Sequence, residues 1–238
     1  MTEPLFFRVL DIGCGTGCIG ISIAKEISET FVTAIDIEPI AVLVSNHNAQ
    51  RILPLLSEAV EQYNSNRYVA QCIDIAQFGS DIKKQLMDDP NNNRNNLLYD
   101  MVVSNPPYIL PGDMEALETS VLQYESHTAL NGGGTDGLYI IRMIIQQLPH
   151  LCNNHAICWM EIDPSQPKLI QDYIEQQTFN EHRTDTSIQT TTTLSNTNTD
   201  DDNNNNNNTK KKRICFVECV KDMFGHDRFV KLQVVIDS

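Results

Sequence analysis

Residues 9–20 read "VLDIGCGTGCIG", in which apolar β-forming residues run into a glycine-rich turn and then into a helical pattern. Glycine adopts positive φ without strain and lets a ligand approach the backbone closely. A strand that passes through such a turn into a helix is typical of α/β domains that bind a nucleoside-containing ligand at the turn. The stretch therefore predicts an α/β domain whose first turn carries a binding site.

The alternation of strand and helix patterns continues along the chain. Helical patterns cover 18–28, 39–50, 137–148 and 166–177, and strand patterns cover 6–12, 31–37, 67–75, 99–105, 155–162, 213–222 and 228–236. Pro39 stands at a first helical turn, where its missing N–H costs nothing. The last two strands are joined by the short turn "MFGHD", so they must pair antiparallel. An α/β fold of seven strands with an antiparallel final hairpin resembles the Rossmann-like sheet of class I methyltransferases.

Length and composition limit the classes of function. The chain has 238 residues, a formal net charge of −14 and 41% hydrophobic residues, which suits one globular domain over 1–238. The acidic balance argues against a broad electrostatic grip on nucleic acid, and the basic run at 210–213 is interpreted as a solvated junction. Seven cysteines without a C-x-x-C pair predict reduced thiols and no metal site. No apolar run approaches the ~18 residues of a membrane span, so we expect no membrane partner. We also expect a monomer.

Two segments have the composition of insertions. They lie at about 88–97 and 178–212, and both are rich in Asn or Thr. Such sequence buries too little apolar surface to offset the entropy lost on ordering. We expect both to be disordered surface loops without a catalytic role.

The glycine turn fits two motifs. Residues 15–20 match G-x-G-x-x-G, with Asp36 at the distance of the ribose-binding acid of NAD enzymes. Residues 11–17 equally match D-x-G-x-G-x-G, which resembles the loop that holds S-adenosylmethionine in methyltransferases. Asp11 favours the second motif, because a carboxylate here would repel a pyrophosphate but attract the α-ammonium of S-adenosylmethionine. The predicted cofactor-binding residues of this loop are Asp11, Gly13, Cys14, Gly15, Thr16 and Gly17.

Two further strand ends carry acidic residues. Asp36 would accept hydrogen bonds from both ribose hydroxyls, which are strong because the acceptor is charged. Asp74 would face the adenine edge, with Ile75 packing on the ring. Each Asp has a structural alternative as a cap of the helix that follows its strand. For Asp74 the two interpretations stay open.

The stretch "YDMVVSNPPYIL" at 99–110 ends a buried strand with two prolines. Asn105 at this strand end would lie near the cofactor, because ligands of open α/β sheets bind beyond the carboxyl ends of the strands. The Asn105 oxygen and the carbonyls of the Pro106–Pro107 turn can accept the two hydrogens of a substrate –NH2 group. This arrangement would aim the nitrogen lone pair at the methyl group, with Tyr108 as an aromatic wall. The alternative is a strand terminator that happens to contain Asn.

The glycine turn followed by N-P-P-Y resembles the amino methyltransferases that modify amide or exocyclic nitrogens. Three more stretches, "YESHTALNGGGTDGL", "WMEIDPSQP" and "VKDMFGHDRFVKLQ", are similar to the HemK/PrmC family, in its eukaryotic organellar branch. The resemblance implies methylation of a Gly-Gly-Gln glutamine in a peptide-chain release factor. It implies that Asn105 and the Pro106 carbonyl bind the glutamine amide. It also implies a mitochondrial or otherwise cytoplasmic protein, and we expect the family's N-terminal helical domain to be absent.

Two other functions remain open. A nucleic-acid adenine or guanine amino-methyltransferase shares N-P-P-Y and places a flipped base over the aromatic ring, although the acidic balance argues against it. The chain could instead be a non-catalytic, methyltransferase-like interaction module. The intact Asp11, Asp36 and Asn105 argue against that function.

Overall fold

A computed structural model describes residues 6–53, 67–88, 97–110, 112–114, 127–191 and 211–236. Its strands are β1 (Phe7–Ile12), β2 (Thr30–Asp36), β3 (Tyr68–Cys72), β4 (Tyr99–Ser104), β5 (Cys152–Glu161), β6 (Lys212–Lys221) and β7 (Asp227–Ile236). They form one sheet in the order β3-β2-β1-β4-β5-β7-β6. The strands β1 to β5 are parallel, whereas β7 runs antiparallel to both β5 and β6. The predicted class I layout with its antiparallel final hairpin is confirmed.

The helices of the described ranges are α1 (Cys18–Glu26), α2 (Pro39–Ile52), α3 (Ile75–Asp88), α4 (His127–Leu130), α5 (Tyr139–Leu151) and α6 (Pro167–Thr191). Pro39 begins α2, as predicted from its tolerance of the first helical turn. None of these helices is long and apolar enough to cross a membrane.

Helix α3 was not predicted from the sequence, and helix α6 extends past the predicted start of the second insertion. The apolar side of α3 is narrow, with Ile75, Phe78, Gly79 and Ile82 buried in an otherwise polar segment. Helix α6 continues to Thr191, so the loop predicted at 178–212 is wrong over its first part. Residues 178–191 contain neither Gly nor Pro, and therefore nothing in the sequence stops the helix there. Residues 89–96 and 192–210 lie outside the described ranges.

The sheet is covered on both faces. The smaller core cluster includes Ile21 and Ala24 of α1 and Ala49 of α2. The larger cluster lies on the other face and includes buried residues of α3, α5 and α6, such as Phe78, Ile144 and Ile170. Because both faces are covered, polar groups collect at the edge where the parallel strands end. The candidate site lies at this edge.

Candidate active site

The turn between β1 and α1 is held by backbone hydrogen bonds. The N–H groups of Gly13 and Cys14 both donate to the Ile35 carbonyl of β2, at 2.8 and 3.1 Å. A Cβ added at Gly13 or Gly15 would have no neighbouring atom within 4 Å. Gly17 has φ +83°, and a Cβ there would overlap Ser45 Oγ. The turn therefore requires glycine at Gly17 for space and leaves the backbone of Gly13 and Gly15 accessible to a ligand.

Asp36, at the end of β2, holds the glycine turn in place. Its Oδ2 accepts the Gly15 N–H at 2.9 Å, and its Oδ1 accepts the Glu38 N–H at 2.9 Å. A carboxylate can accept about four hydrogen bonds, so acceptor sites of Asp36 remain beside these two donors. The side chain is half-buried, which leaves part of it accessible to a ligand. A carboxylate in this position can bind ligand hydroxyls while it orders the turn beside them.

Asp11 is a buried carboxylate beneath the same turn. Only 1% of its surface is exposed, and its Oδ2 accepts the Gly20 N–H at 2.9 Å. Its Oδ1 is buried without a hydrogen-bond partner in the described part of the chain. Burial, and secondarily the nearby Asp36 charge, raises the pKa of Asp11 to about 6, against the Gly20 hydrogen bond. A cationic ligand group near Asp11 would relieve this unfavourable charge.

Cys14 and Thr16 complete the predicted turn residues. Cys14 is buried against Ser45, which also contacts the Tyr68 hydroxyl. Burial raises the pKa of the Cys14 thiol to about 11, so the thiol stays protonated at neutral pH. Thr16 is exposed, and its carbonyl accepts the Asn48 Nδ2–H at 3.0 Å. Cys14 therefore packs beneath the turn, whereas Thr16 lies at the surface.

Asp74 takes the capping role that was left open. Its Oδ1 accepts the N–H groups of Ala76 at 2.8 Å and Gln77 at 3.3 Å, which belong to the first turn of α3. Ile75 begins α3 and is 6% exposed within the larger core cluster. Little of its surface remains for the predicted contact with an adenine ring. The adenine contacts of both residues stay predictions.

Asn105 lies where β4 ends, directly beside the end of β1. Ser104 pairs with Ile12 in the sheet, and the Ser104 Oγ donates to the Ile12 carbonyl at 2.8 Å. Asn105 follows Ser104 in the chain and Gly13 follows Ile12, so Asn105 lies next to the glycine turn. Its side chain is exposed and has no hydrogen bond to the residues that the structure describes. The Asn105 amide is therefore available to a ligand.

The turn after Asn105 is fixed by partners from distant motifs. Pro106 is buried and Pro107 half-buried. The Tyr108 hydroxyl donates to Glu161 Oε1 at 3.0 Å and accepts an N–H from Arg228 at 3.4 Å. Burial and the Glu161 charge raise the pKa of Tyr108, so the hydroxyl remains a donor. These two contacts hold the Tyr108 ring in one orientation.

A buried glutamine, which sequence analysis did not single out, holds the other side of this turn. Gln166 is fully buried, and its Nε2 donates to the Tyr108 carbonyl at 3.1 Å. Weaker contacts of 3.4 Å run to the Asp136 and Gly137 carbonyls, and its Oε1 accepts the Asp163 N–H at 3.0 Å. A Cβ at Gly137 would lie 2.6 Å from the Tyr108 carbonyl oxygen, so only glycine fits.

These contacts show how three stretches that are distant in the sequence act on one residue, Tyr108. "NGGGTDGL" supplies Gly137, "MEIDPSQP" supplies Glu161 and Gln166, and the final hairpin supplies Arg228. All of them act on the backbone or ring of Tyr108. In the sequence, these residues could be found only through the resemblance of their stretches to the HemK/PrmC family. No local pattern shows which residues of those stretches contact Tyr108.

The assembled site has two parts on adjacent strand ends. The glycine turn with Asp36 and Asp11 is suited to a ligand that carries hydroxyls and a positive charge. The Asn-Pro-Pro-Tyr turn carries the exposed Asn105 amide and the Tyr108 ring, whose hydroxyl is held by Glu161 and Arg228. No group of three or more His, Cys, Asp or Glu in the described ranges could hold a metal ion. The geometry therefore provides for binding and alignment, and it fits a methyl donor beside an amino group.

Comparisons with known proteins find methyltransferases. Residues 1–71 match the family model "Methyltransferase small domain". The human MTRF1L release factor glutamine methyltransferase is 27% identical over 71% of this chain and 44% of its own length. The release factor glutamine methyltransferase of Geobacter sulfurreducens is 31% identical over 70% of this chain and 49% of its own. The crystal structure of SMU.776 complexed with SAH superposes with a TM-score of 0.50 at 8% identity, covering 95% of this chain and 44% of that one.

The fold and the family model define a class I methyltransferase domain. The relatives and the shared motifs support the assignment of this domain to the HemK/PrmC family. The chain spans just under half the length of the two relatives compared above.

We predict that Asp11→Asn removes the pH-dependent destabilisation that the buried Asp11 carboxylate causes. Folding raises the pKa of Asp11 from 3.8 to about 6, so its contribution to stability is full below 3.8 and is lost as the pH rises through 6. At ~1.4 kcal/mol per pH unit, the free energy of unfolding of Asp11→Asn should gain about 2–3 kcal/mol on wild type between pH 4 and pH 7. Urea unfolding at both pH values measures it, with the exposed Asp88→Asn as control. Equal differences at the two pH values would contradict the buried charge.

Proposed function

We propose that this chain is an S-adenosylmethionine-dependent methyltransferase that acts on the side-chain amide nitrogen of a glutamine in a peptide-chain release factor. The observation that carries the proposal is the adjacency of two sites: the glycine turn with Asp36 and the free Asn105 amide lie at the ends of the paired strands β1 and β4. A methyl donor on the first would lie beside an amide on the second.

The residues of the glycine turn fit S-adenosylmethionine. The Asp36 carboxylate would accept the ribose hydroxyls, and the accessible backbone of Gly13 and Gly15 lets the ligand lie close. The buried Oδ1 of Asp11 has no partner among the described residues, and its charge would favour the cationic amino-acid part of the ligand on the turn above it. When bound, this cofactor supplies an electrophilic methyl group on a sulfonium. The NAD alternative is less suited, because a pyrophosphate on the glycine turn would lie near the buried Asp11 carboxylate.

The Asn-Pro-Pro-Tyr turn fits a planar carboxamide. The Asn105 amide offers a donor to the substrate carbonyl and an acceptor to its –NH2 group. Pro106 and Pro107 cannot donate, so the turn presents carbonyl oxygens as further acceptors. Holding both hydrogens in the amide plane directs the nitrogen lone pair towards the methyl group. Because Gln166, Glu161 and Arg228 fix Tyr108 in advance, little reorganisation is needed at the moment of transfer.

The choice of substrate rests on the relatives, whose names specify release factor glutamine methyltransferases. The net charge of −14 also favours a protein over a nucleic-acid substrate. Similarity to the human relative supports the organellar branch, and a mitochondrial location stays a prediction, as does the monomeric state. The nucleic-acid methyltransferase and the non-catalytic module are separated from this proposal by the next experiment.

We expect transferred methyl to appear on a release factor and not on nucleic acid. The protein would be incubated with methyl-labelled S-adenosylmethionine, a purified release factor and bulk RNA and DNA, and each fraction counted. The matched control replaces the Gln of the Gly-Gly-Gln segment by Glu, which removes the acceptor nitrogen and should abolish labelling. Label in the nucleic acid would favour the amino-methyltransferase of bases. No label anywhere, with the cofactor bound, would favour the interaction module.

We predict that Asp36→Ala weakens cofactor binding. A hydrogen bond to a charged acceptor contributes about 1.5–3 kcal/mol, so the Kd for S-adenosylmethionine should rise about 10- to 150-fold. Calorimetry would measure it, with Asp88→Ala as a control for lost charge and NAD as the competing ligand. The thermal transition without ligand would separate this effect from the loss of the Gly15 and Glu38 hydrogen bonds. Tight binding of NAD without binding of S-adenosylmethionine would refute the proposal.

A further inference from the structure

The turn of the final hairpin exposes two large apolar side chains beside the candidate site. Met223 is 90% exposed and Phe224 76% exposed, between the end of β6 and the start of β7. Strand β7 runs antiparallel to β5, with Phe229 opposite Glu161. The turn at 222–226, called here the hairpin tip, therefore lies at the same sheet edge as Tyr108. Together the two side chains form an apolar patch on an otherwise polar turn, which makes the turn a candidate contact site.

The hairpin tip is an ordered structure. The Asp222 Oδ1 accepts the N–H groups of Phe224 at 2.9 Å and His226 at 3.0 Å. The backbone closes through Asp222 N–H to the His226 carbonyl at 2.8 Å and Gly225 N–H to the Asp222 carbonyl at 3.0 Å. A turn that is ordered beforehand loses little conformational entropy when a partner binds to it.

Arg228 connects the hairpin tip to the site. Its guanidinium lies 3.6 Å from Asp222 and 3.9 Å from Glu161, and it donates to the Tyr108 hydroxyl at 3.4 Å. One side chain thus sets the position of the tip relative to the aromatic wall of the cleft. A partner that contacts the tip would be held at a fixed place relative to Asn105.

The chemistry of the tip fits a protein partner. The cations that flank the tip are compensated, since Lys221 pairs with Asp227 at 2.8 Å and Arg228 lies against Asp222 and Glu161. Nucleic acid binds chiefly through cations that neutralise phosphates, and the tip offers none that lacks a carboxylate. Methionine and phenylalanine instead bury well against apolar side chains.

We infer that Met223 and Phe224 dock the protein substrate, by contact with an apolar patch of the release factor outside the glutamine segment. The inference rests on the proposed function and adds a specificity element to it. The tip holds the folded substrate while the Asn-Pro-Pro-Tyr turn holds the amide. Its effect therefore falls on the binding of the intact factor and not on the transfer step.

The test is the double variant Met223→Ser/Phe224→Ser in steady-state methylation of an intact release factor. Burying two such side chains contributes enough that KM for the factor should rise about tenfold or more. The maximal rate at saturating factor and the Kd for S-adenosylmethionine should stay at wild-type values. The control is Met87→Ser, which removes a methionine of 67% exposure near the end of α3.

Each other outcome overturns the inference. An unchanged KM would show that the tip does not dock the substrate, while the proposed function would stand. A fall in the maximal rate alone would assign the tip to the chemical step. If the double variant loses self-association in sedimentation while methylation is unchanged, the tip is a contact between copies of the chain. If the double variant selectively loses the labelling of nucleic acid, the tip is a nucleic-acid contact. If wild type labels no release factor, the proposed function fails and the docking inference fails with it. If the double variant does not fold, Phe224→Ser alone decides by the same criteria.

Discussion

The parallel pairing of β1 with β4 is the constraint on which the candidate site depends. The chain runs from β1 to β2 on one side of the sheet and from β4 to β5 on the other. The connections that follow β1 and β4 therefore diverge at the centre of the sheet. This is the topological switch point at which open α/β sheets bind ligands. The hydrogen bond from Ser104 to the Ile12 carbonyl closes the edge and sets the glycine turn and Asn105 side by side.

Some polar groups at this edge lower the stability of the fold but are suited to ligand binding. Asp11 is buried as a carboxylate whose pKa is raised to about 6, and one of its oxygens lacks a described partner. Asp36 and Gln166, by contrast, hydrogen-bond to backbone groups and so fix the two turns, while Asp36 keeps acceptor sites for a ligand. A rigid frame with a few groups left available is what preorganised alignment of a methyl donor and an amide requires.

The sequence predicted the features that depend on local patterns. The glycine turn, the seven strands, the start of α2 at Pro39 and the antiparallel hairpin follow from period, proline and glycine placement, and turn length. Helix α3 was missed because its apolar stripe is narrow, and α6 was ended too early because polar composition was interpreted as a loop. The contacts around Tyr108 could not be predicted, since its partners Glu161, Gln166 and Arg228 lie 53, 58 and 120 residues away.

The role of Asn105 is measured most directly by single-turnover methyl transfer with saturating S-adenosylmethionine. Asn105 is exposed and has no hydrogen bond to the described residues, so its replacement should leave the fold and the cofactor affinity intact. By analogy with the loss of one preorganised transition-state partner, Asn105→Ala should lower the rate by about 10²–10³. Asn105→Asp should also be impaired, because a carboxylate repels the substrate carbonyl. Wild-type rates in both variants would contradict the account and leave Asn105 as a strand terminator.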